Sequence, residues 1–187
     1  MSEPAASFLR PERTALVVID LQEKLLPAIA QRERVLRNGV LLLNLANVLA
    51  LPVVLTTQYQ RGLGPTVPEV LAAAPGVAPL DKTSFGCFGS PEFLDRLKAL
   101  GGRDQLVVAG IESHICVAQT VLGALERGYT VHVASDAVGS RSEENRAVGM
   151  SRMERAGALV SSTEMAIYEL LGRSDAAAFK RMLPLLK

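Results

Sequence analysis

The 187-residue sequence contains no tryptophan and only two cysteines and two histidines. Neither residue type has the spacing of metal ligands, which argues against a zinc site. Two isolated cysteines do not make a disulfide framework, so we expect a reduced, cytoplasmic protein. Apolar runs are also short. The longest, residues 40–52, is interrupted by two asparagines and falls below the roughly 18 apolar residues that a membrane span needs.

An excess of charge of either sign is also missing. The chain has 20 Lys and Arg against 19 Asp and Glu, a formal net charge of +1. This balance gives no electrostatic reason to expect nucleic acid or an anionic membrane as a partner. The first residues lack the basic-then-apolar order of a secretory signal. The G-x-S-x-G elbow, the Walker A loop and the G-x-G-x-x-G fingerprint are absent too, which argues against serine hydrolases, P-loop nucleotidases and dinucleotide-dependent enzymes.

What the sequence does have is a hydrophobic fraction of 49%, enough for one domain spanning residues 1–187 with a sizeable core. Apolar runs rich in β-branched residues alternate with helical patterns. Strands are predicted at residues 14–20, 52–57, 106–109, 130–134 and 158–160, and helices at 32–50, 90–101, 114–127, 140–156, 161–172 and from 174. This order predicts a three-layer α/β/α sandwich, a Rossmann-like arrangement around a mostly parallel sheet of about six strands.

Local signals mark one long loop and the starts of two helices. Residues 58–80 show no regular periodicity and hold four of the ten prolines. Because this loop leaves the end of a strand, we expect it to form the wall of a ligand pocket. Ser140 with Glu143 and Ser161 with Glu164 have the spacing of capping boxes, which predicts helices that begin at those serines.

Three residues with reactive side chains are associated with short apolar segments. Asp20 ends the first run, Cys116 follows the run at residues 106–109, and Lys82 lies in a further short segment. Ligands of parallel sheets bind outside the carboxyl ends of the strands, so an acid, a base and a thiol there would form a nucleophilic site. A helix N-terminus at Cys116 would also make its thiol easier to ionise. The residues alone leave simpler roles open: a buried small hydrophobe, a helix cap for Asp20 and a solvated Lys82.

The other cysteine and the two histidines are not expected to be catalytic. Cys87 lies in a loop and is interpreted as structural or pocket-lining. His114 is two residues from Cys116, a spacing that does not bring side chains together on a helix, so we expect a structural or rim role. His132 alternates within a strand and is predicted to pack in the core.

Several segments together resemble the isochorismatase-like cysteine hydrolase family. They are VVIDLQ at residues 17–22, DKTSF at 81–85, AGIESHICV at 109–117, GYTVHVASDA at 128–137 and SRS at 140–142. The resemblance extends over nearly the whole chain and implies the isochorismatase-like form of the α/β/α fold. Within the family, QY at 58–59 and GLGPTVP at 62–68 are similar to the isochorismatase-domain-containing hydrolases.

The resemblance implies a catalytic triad of Cys116, Asp20 and Lys82. Cys116 would attack a carbonyl and form a covalent intermediate, Asp20 would act as general base and acid, and Lys82 would support the charges. It also implies a cis peptide bond between Ile111 and Glu112, which would aim backbone N–H groups, including that of Cys116, at the developing oxyanion. The resemblance further implies three pocket-lining residues: Gln22, Tyr59 and Phe85.

The chemistry implied is that of a metal-independent cysteine hydrolase acting on a small amide or related small molecule, without a cofactor. A nucleophilic cysteine favours acyl chemistry over the vinyl ether hydrolysis of isochorismate. The segment after the second strand, residues 56–64, has none of the Asp and His residues through which nicotinamidases of the family bind a metal. Two alternatives remain: thiol-based acyl transfer or redox chemistry, and an inactive oligomeric interaction module. The apolar excess, like the resemblance, favours a homo-oligomer.

Overall fold

The computed structural model describes residues 8–186, which fold around one six-stranded parallel sheet. The strands are β1 (Thr14–Ile19), β2 (Val53–Gln58), β3 (Leu80–Lys82), β4 (Gln105–Ile111), β5 (Thr130–Gly139) and β6 (Leu159–Ser161). Their order across the sheet is β3-β2-β1-β4-β5-β6, and every neighbouring pair is parallel. The chain builds outward from β1 to β3 and then returns to add β4 on the other side of β1. The order in which strands are added therefore reverses between β1 and β4, and folds of this kind bind ligands at such a switch point.

Helices cover both faces of the sheet. Within residues 8–186 the α-helices are α1 (Arg32–Leu49), α2 (Gln60–Leu63), α3 (Pro68–Ala73), α4 (Pro91–Lys98), α5 (Ala118–Leu125), α6 (Glu143–Arg155), α7 (Thr163–Leu171) and α8 (Ala177–Met182). One core joins a sheet face to α1, α3, α7 and α8, and a second core joins the other face to α4, α5 and α6. The predicted three-layer α/β/α fold is confirmed.

Strand β1 explains why the sheet is buried on both sides. All six of its residues are buried, with Leu16 and Val18 in one core and Ala15, Val17 and Ile19 in the other. Side chains of a strand alternate between faces, so a continuous apolar run supplies both cores. Burying a Leu, Val or Ile side chain stabilises the fold by about 1.5–3 kcal/mol.

The segment at residues 58–80 differs from its prediction as an irregular loop. It contains the short helices α2 and α3 and ends in β3. Pro68 occupies the first position of α3, where a proline loses no helical hydrogen bond and its fixed φ suits the helix. Helices of four and six residues are too short to produce a readable hydrophobic period, which is why the sequence pattern missed them.

The prediction that Ser140 and Ser161 cap the two helices is wrong. The hydroxyl that accepts a hydrogen bond at the start of α6 belongs to Ser142, and that at the start of α7 belongs to Ser162. Each segment offers two serines, and the cap is the one whose extended backbone directly precedes the first helical turn. Ser140 instead follows β5, which is longer than predicted because its last residues pair with β4 beyond a register shift.

Candidate active site

The site is built where β1 ends, on the carboxylate of Asp20. Asp20 is fully buried and has a backbone φ of 54°, a left-handed conformation that turns the chain sharply out of the strand. One carboxylate oxygen accepts a hydrogen bond of 2.7 Å from the hydroxyl of Thr56. The other accepts a 2.8 Å hydrogen bond from the ammonium group of Lys82. Asp20 is therefore held at the switch point of the sheet rather than capping a helix.

Lys82 reaches Asp20 from the edge strand β3. Both side chains are 0% exposed, and the ammonium group also donates to Oε1 of Gln58 at 2.8 Å. Strand β2 lies between β1 and β3, so the lysine side chain spans the end of an intervening strand to make the pair. Burying two charges is unfavourable unless they are paired and hydrogen-bonded. The alternative role that the sequence left open, a solvated Lys82, does not hold.

Gly110 permits the close approach of β1 and β4 that brings Cys116 near Asp20. Its φ is 118°, and a Cβ added there would lie 2.1 Å from the Ile19 carbonyl oxygen. Only glycine fits this position. Beyond it, Ser113–Val117 form a π-helical turn that leads into α5, where the sequence predicted one regular helix.

Cys116 lies in this turn, is 7% exposed, and is close enough to Asp20 for the carboxylate to act on its thiol. Burial, together with the negative charge of Asp20, raises the pKa of the Cys116 thiol to about 12, and Lys82 only partly opposes this rise. The expectation that the Cys116 thiol ionises easily is therefore wrong, because the cost of desolvating the thiolate outweighs its attraction to the nearby cation. The proton resides on sulfur at neutral pH, next to a carboxylate that can accept it.

The backbone before Cys116 contains a cis peptide bond between Ile111 and Glu112, where the family resemblance implies one. The Glu112 carbonyl accepts hydrogen bonds from the N–H groups of Ile115 (3.0 Å) and Val117 (3.2 Å). The Glu112 carboxylate accepts from the backbone N–H of Arg141 at 2.9 Å and from its guanidinium at 3.1 Å. The loop after β4 is thus tied to the loop after β5.

A threonine that the sequence patterns did not single out links the two cysteines. The Thr120 hydroxyl donates to the Cys116 carbonyl at 2.7 Å and accepts from the Cys87 N–H at 3.0 Å. Cys87 is fully buried, and burial raises the pKa of its thiol to about 11. The charges of Lys82 and Asp20 also act on this thiol. Cys87 is therefore a buried neighbour of the charged pair.

The three expected pocket-lining residues fall into two groups. Gln22 is fully buried, and its amide nitrogen donates to the carbonyls of Gln58 (3.2 Å) and Gly64 (2.6 Å) while its oxygen accepts from the Gln58 N–H (2.7 Å). Both amide hydrogens are thereby used, so Gln22 positions the loop after β2. Tyr59 and Phe85, by contrast, are 51% and 55% exposed. They remain available to a ligand or to another protein surface.

The two histidines do not join the charged pair and the thiol. Nδ1 of His114 lies 3.0 Å from the Ser140 hydroxyl, a contact that joins the turn before α5 to the end of β5. This is the structural role predicted for it. His132 is 4% exposed within β5, as predicted for a core histidine.

Two residues of β2 also belong to the site and were missed by the sequence analysis. Thr56 donates to Asp20, and Gln58 accepts from Lys82 while donating to the Thr83 carbonyl at 2.8 Å. The available signal was their place at the end of a strand next to β1. Polar residues closing an apolar strand are candidates for the same edge of the sheet as Asp20.

Within residues 8–186, no group of three or more His, Cys, Asp or Glu side chains is arranged to hold a metal ion. Over the same part of the chain, no helix is both long enough and apolar enough to cross a membrane.

Comparison with known proteins gives consistent matches over nearly the whole chain. A family model described as the isochorismatase domain matches residues 14–165. The isochorismatase domain-containing protein 2 of Danio rerio is 38% identical over 178 residues, covering 95% of this chain and 89% of that protein.

Two solved structures are similar in fold along almost their full length. The MAR1 ribonuclease of Caenorhabditis elegans is 38% identical, with a TM-score of 0.90, over 96% of this chain and 92% of that one. The YcaC gene product of Escherichia coli, described as an octameric hydrolase of unknown specificity, is 30% identical, with a TM-score of 0.88, over 95% of this chain and 89% of that one.

Proposed function

The chain belongs to the isochorismatase family, and from that premise we propose that it is a metal-independent cysteine hydrolase of small amides or related small molecules. The observation that supports the proposal is the buried ion pair of Lys82 and Asp20, with the buried Cys116 thiol close enough to the same carboxylate for its charge to act on the thiol. A thiol, a base and a cation that compensates the base are the parts needed for covalent acyl chemistry. Asp20 directly follows β1, Lys82 is the last residue of β3, and Cys116 lies in the turn after β4.

The raised pKa of Cys116 decides how the first step proceeds. A thiol with a pKa of about 12 is protonated at neutral pH, so attack on the substrate carbonyl is coupled to transfer of its proton to Asp20. The Sγ–C bond forms as the carbonyl π bond breaks, and the negative charge moves to the oxygen. Backbone N–H groups of the turn after the cis peptide, including that of Cys116, are the proposed donors to this oxyanion.

The later steps use the same proton. Asp20 returns it to the amide nitrogen, the C–N bond breaks, and the amine leaves behind a thioester on Cys116. Asp20 then takes a proton from water, whose oxygen attacks the thioester, and Sγ departs and is reprotonated. The sum is amide plus water giving acid plus amine. Lys82 compensates the carboxylate charge whenever Asp20 is ionised.

A panel of small amides tests this proposal, after chelation, with wild type, Cys116→Ala and Cys87→Ala in parallel. We expect turnover by wild type and by Cys87→Ala and its loss, by at least about 1000-fold, in Cys116→Ala, since the nucleophile is absent. Equal turnover by Cys116→Ala and wild type would refute the mechanism. Activity that disappears from wild type on chelation would refute metal independence.

Two other functions are separated by the same preparation. Hydroxylamine intercepts any thioester, so hydroxamate formed by wild type but not by Cys116→Ala would support the covalent intermediate. Preferential transfer of the acyl group to an added amine rather than to water would indicate acyl transfer. A panel without turnover would favour the interaction module. Because the C. elegans relative is named a ribonuclease, an RNA substrate belongs in the panel. RNA cleavage that survives in Cys116→Ala would place that activity outside the proposed site.

Homo-oligomerisation and a reducing compartment are further parts of the proposal. The E. coli relative is described as octameric, and large apolar side chains are exposed on this chain, Tyr59, Phe85 and Val148 among them. Exposed apolar side chains that lie together form the patches typical of protein interfaces. Both cysteines are free thiols, as in a cytoplasmic protein. Sedimentation at several concentrations measures the association state, and a monomer throughout would contradict an oligomer.

A further inference from the structure

A cavity lies away from the thiol, between α1 and the start of α7. Its volume is about 520 Å³, and its lining includes none of the three proposed catalytic residues. The polar part of the lining comes from one face of α1, where Arg34, Arg37, Asn38 and Asn44 follow one another at helical spacing. This volume is within the range of small-molecule sites, roughly 300–1,000 Å³.

The guanidinium group of Arg34 is the unusual member of this lining. Its Nε and Nη2 atoms are buried and have no hydrogen-bond partner within the described residues. Neither it nor Arg37, one turn further along α1, forms an ion pair with any residue between 8 and 186. Buried donors are nearly always satisfied, and neighbouring like charges on a helix repel each other. Arg37 is exposed to solvent, so it is the unsatisfied donors of Arg34 that call for a counter-anion.

The carboxylates at the cavity do not fill this role. Asp136 has one oxygen committed to Thr163, accepting from its backbone N–H at 2.7 Å and from its hydroxyl at 2.9 Å. Glu164 is exposed to solvent. Helix α7 is nine residues long, and its N-terminus, the positive end of the helix dipole, lines the same cavity. Arg34 thus keeps two buried donors without an acceptor.

We propose that this cavity binds a small organic oxyanion, a carboxylate or a phosphate attached to an apolar group. A guanidinium presents its donors in a planar fork that matches two oxygens of such a group. Leu41, Leu185 and Leu186 supply an apolar wall for the remainder of the ligand. The anion has two conceivable sources, a free small molecule or a carboxylate side chain of a second copy, and the proposal commits to the free molecule.

Calorimetric titration of the full chain tests the proposal with benzoate, acetate and inorganic phosphate as probes. We expect saturable binding, with benzoate bound more tightly than acetate because only benzoate contacts the apolar wall. Arg34→Gln should weaken binding at least about tenfold, since it removes a charge-assisted fork. Arg96→Gln, which alters an exposed arginine on α4, is the matched control and should bind as wild type does.

A second variant guards against misfolding of the first. Arg34→Lys keeps the charge but loses the planar fork, and it too should bind more weakly while its circular dichroism stays unchanged. No saturable binding of any probe to wild type, or equal affinity in wild type and Arg34→Gln, would overturn the proposal. So would a loss of self-association in Arg34→Gln without any effect of the probes, because the occupant would then be a carboxylate of a second copy.

Discussion

Replacing Lys82 by methionine tests how much the fold depends on the buried ion pair. Lys82 and Asp20 are both 0% exposed and 2.8 Å apart, so the variant leaves a carboxylate buried without its cation. Breaking such a pair from one side destabilises a protein by about 3–5 kcal/mol. With an m value of about 2 kcal/mol/M, the urea midpoint should fall by about 1.5–2.5 M. Against a typical stability of about 5–15 kcal/mol, the variant should still fold.

The controls separate the pair from its surroundings. Lys98→Met removes an exposed lysine whose nearest carboxylate is 3.5 Å away, and it should change stability by less than about 1 kcal/mol. The double variant Lys82→Met/Asp20→Asn removes both charges and should be more stable than Lys82→Met alone, because no charge remains buried without a partner. All unfolding curves need one protein concentration, since association would shift the midpoints. A cost below about 1 kcal/mol for Lys82→Met, or costs that simply add in the double variant, would refute this reasoning.

Three further predictions follow from the structure. Burial and a neighbouring carboxylate raise the pKa of Cys116 to about 12, so iodoacetamide should alkylate this thiol more slowly at pH 7 than it alkylates an exposed thiol. The stability that the protonated Cys116 thiol contributes to the fold should decline as the pH rises from about 9 toward 12. Fast labelling with an apparent pKa below 8.5, absent in Cys116→Ala, would contradict this prediction. Gly110→Ala places a methyl group 2.1 Å from a backbone oxygen of β1 and should abolish folding or strongly lower the melting temperature. In the control Gly128→Ala the new methyl group has nothing within 4 Å, and the free energy of unfolding should fall by only about 1 kcal/mol. Equal melting temperatures of the two variants would show that β1 and β4 can separate. Ser142→Ala removes the N-cap of α6 and should lower the free energy of unfolding by about 1 kcal/mol, with Ser174→Ala, an exposed residue, as the control that should not.

The sheet and its layers were predictable because the two central strands, β1 and β4, contain continuous apolar runs. Residues 14–19 and 105–111 are buried along their whole length, a pattern that only a sheet covered on both faces explains. The edge strand β3 was not predictable in the same way. It has three residues, and its middle residue, Asp81, is exposed, so its apolar signal is too short to recognise.

The site was predictable in its residue types but not in its electrostatics. Asp20 and Cys116 were identified because each follows a strand, and the topology then places their strands side by side. The partners Thr56 and Gln58 depend on the register between β2 and its neighbours, which no sequence pattern sets. The pKa of the Cys116 thiol depends on how far water is excluded from it, and burial of that kind is a property of the complete fold.

The placement of Lys82 on a three-residue edge strand couples the proposed chemistry to a weakly anchored edge of the sheet. β3 pairs with β2 over only three residues, and no strand of residues 8–186 pairs with its other side. Edge elements of this kind separate from a protein by sub-global opening, at a lower free energy than the core strands. Each such event would withdraw the cation from Asp20 while the two cores remain packed. Low concentrations of urea should therefore silence turnover before they change the far-ultraviolet circular dichroism, which makes catalysis itself a sensor of local unfolding.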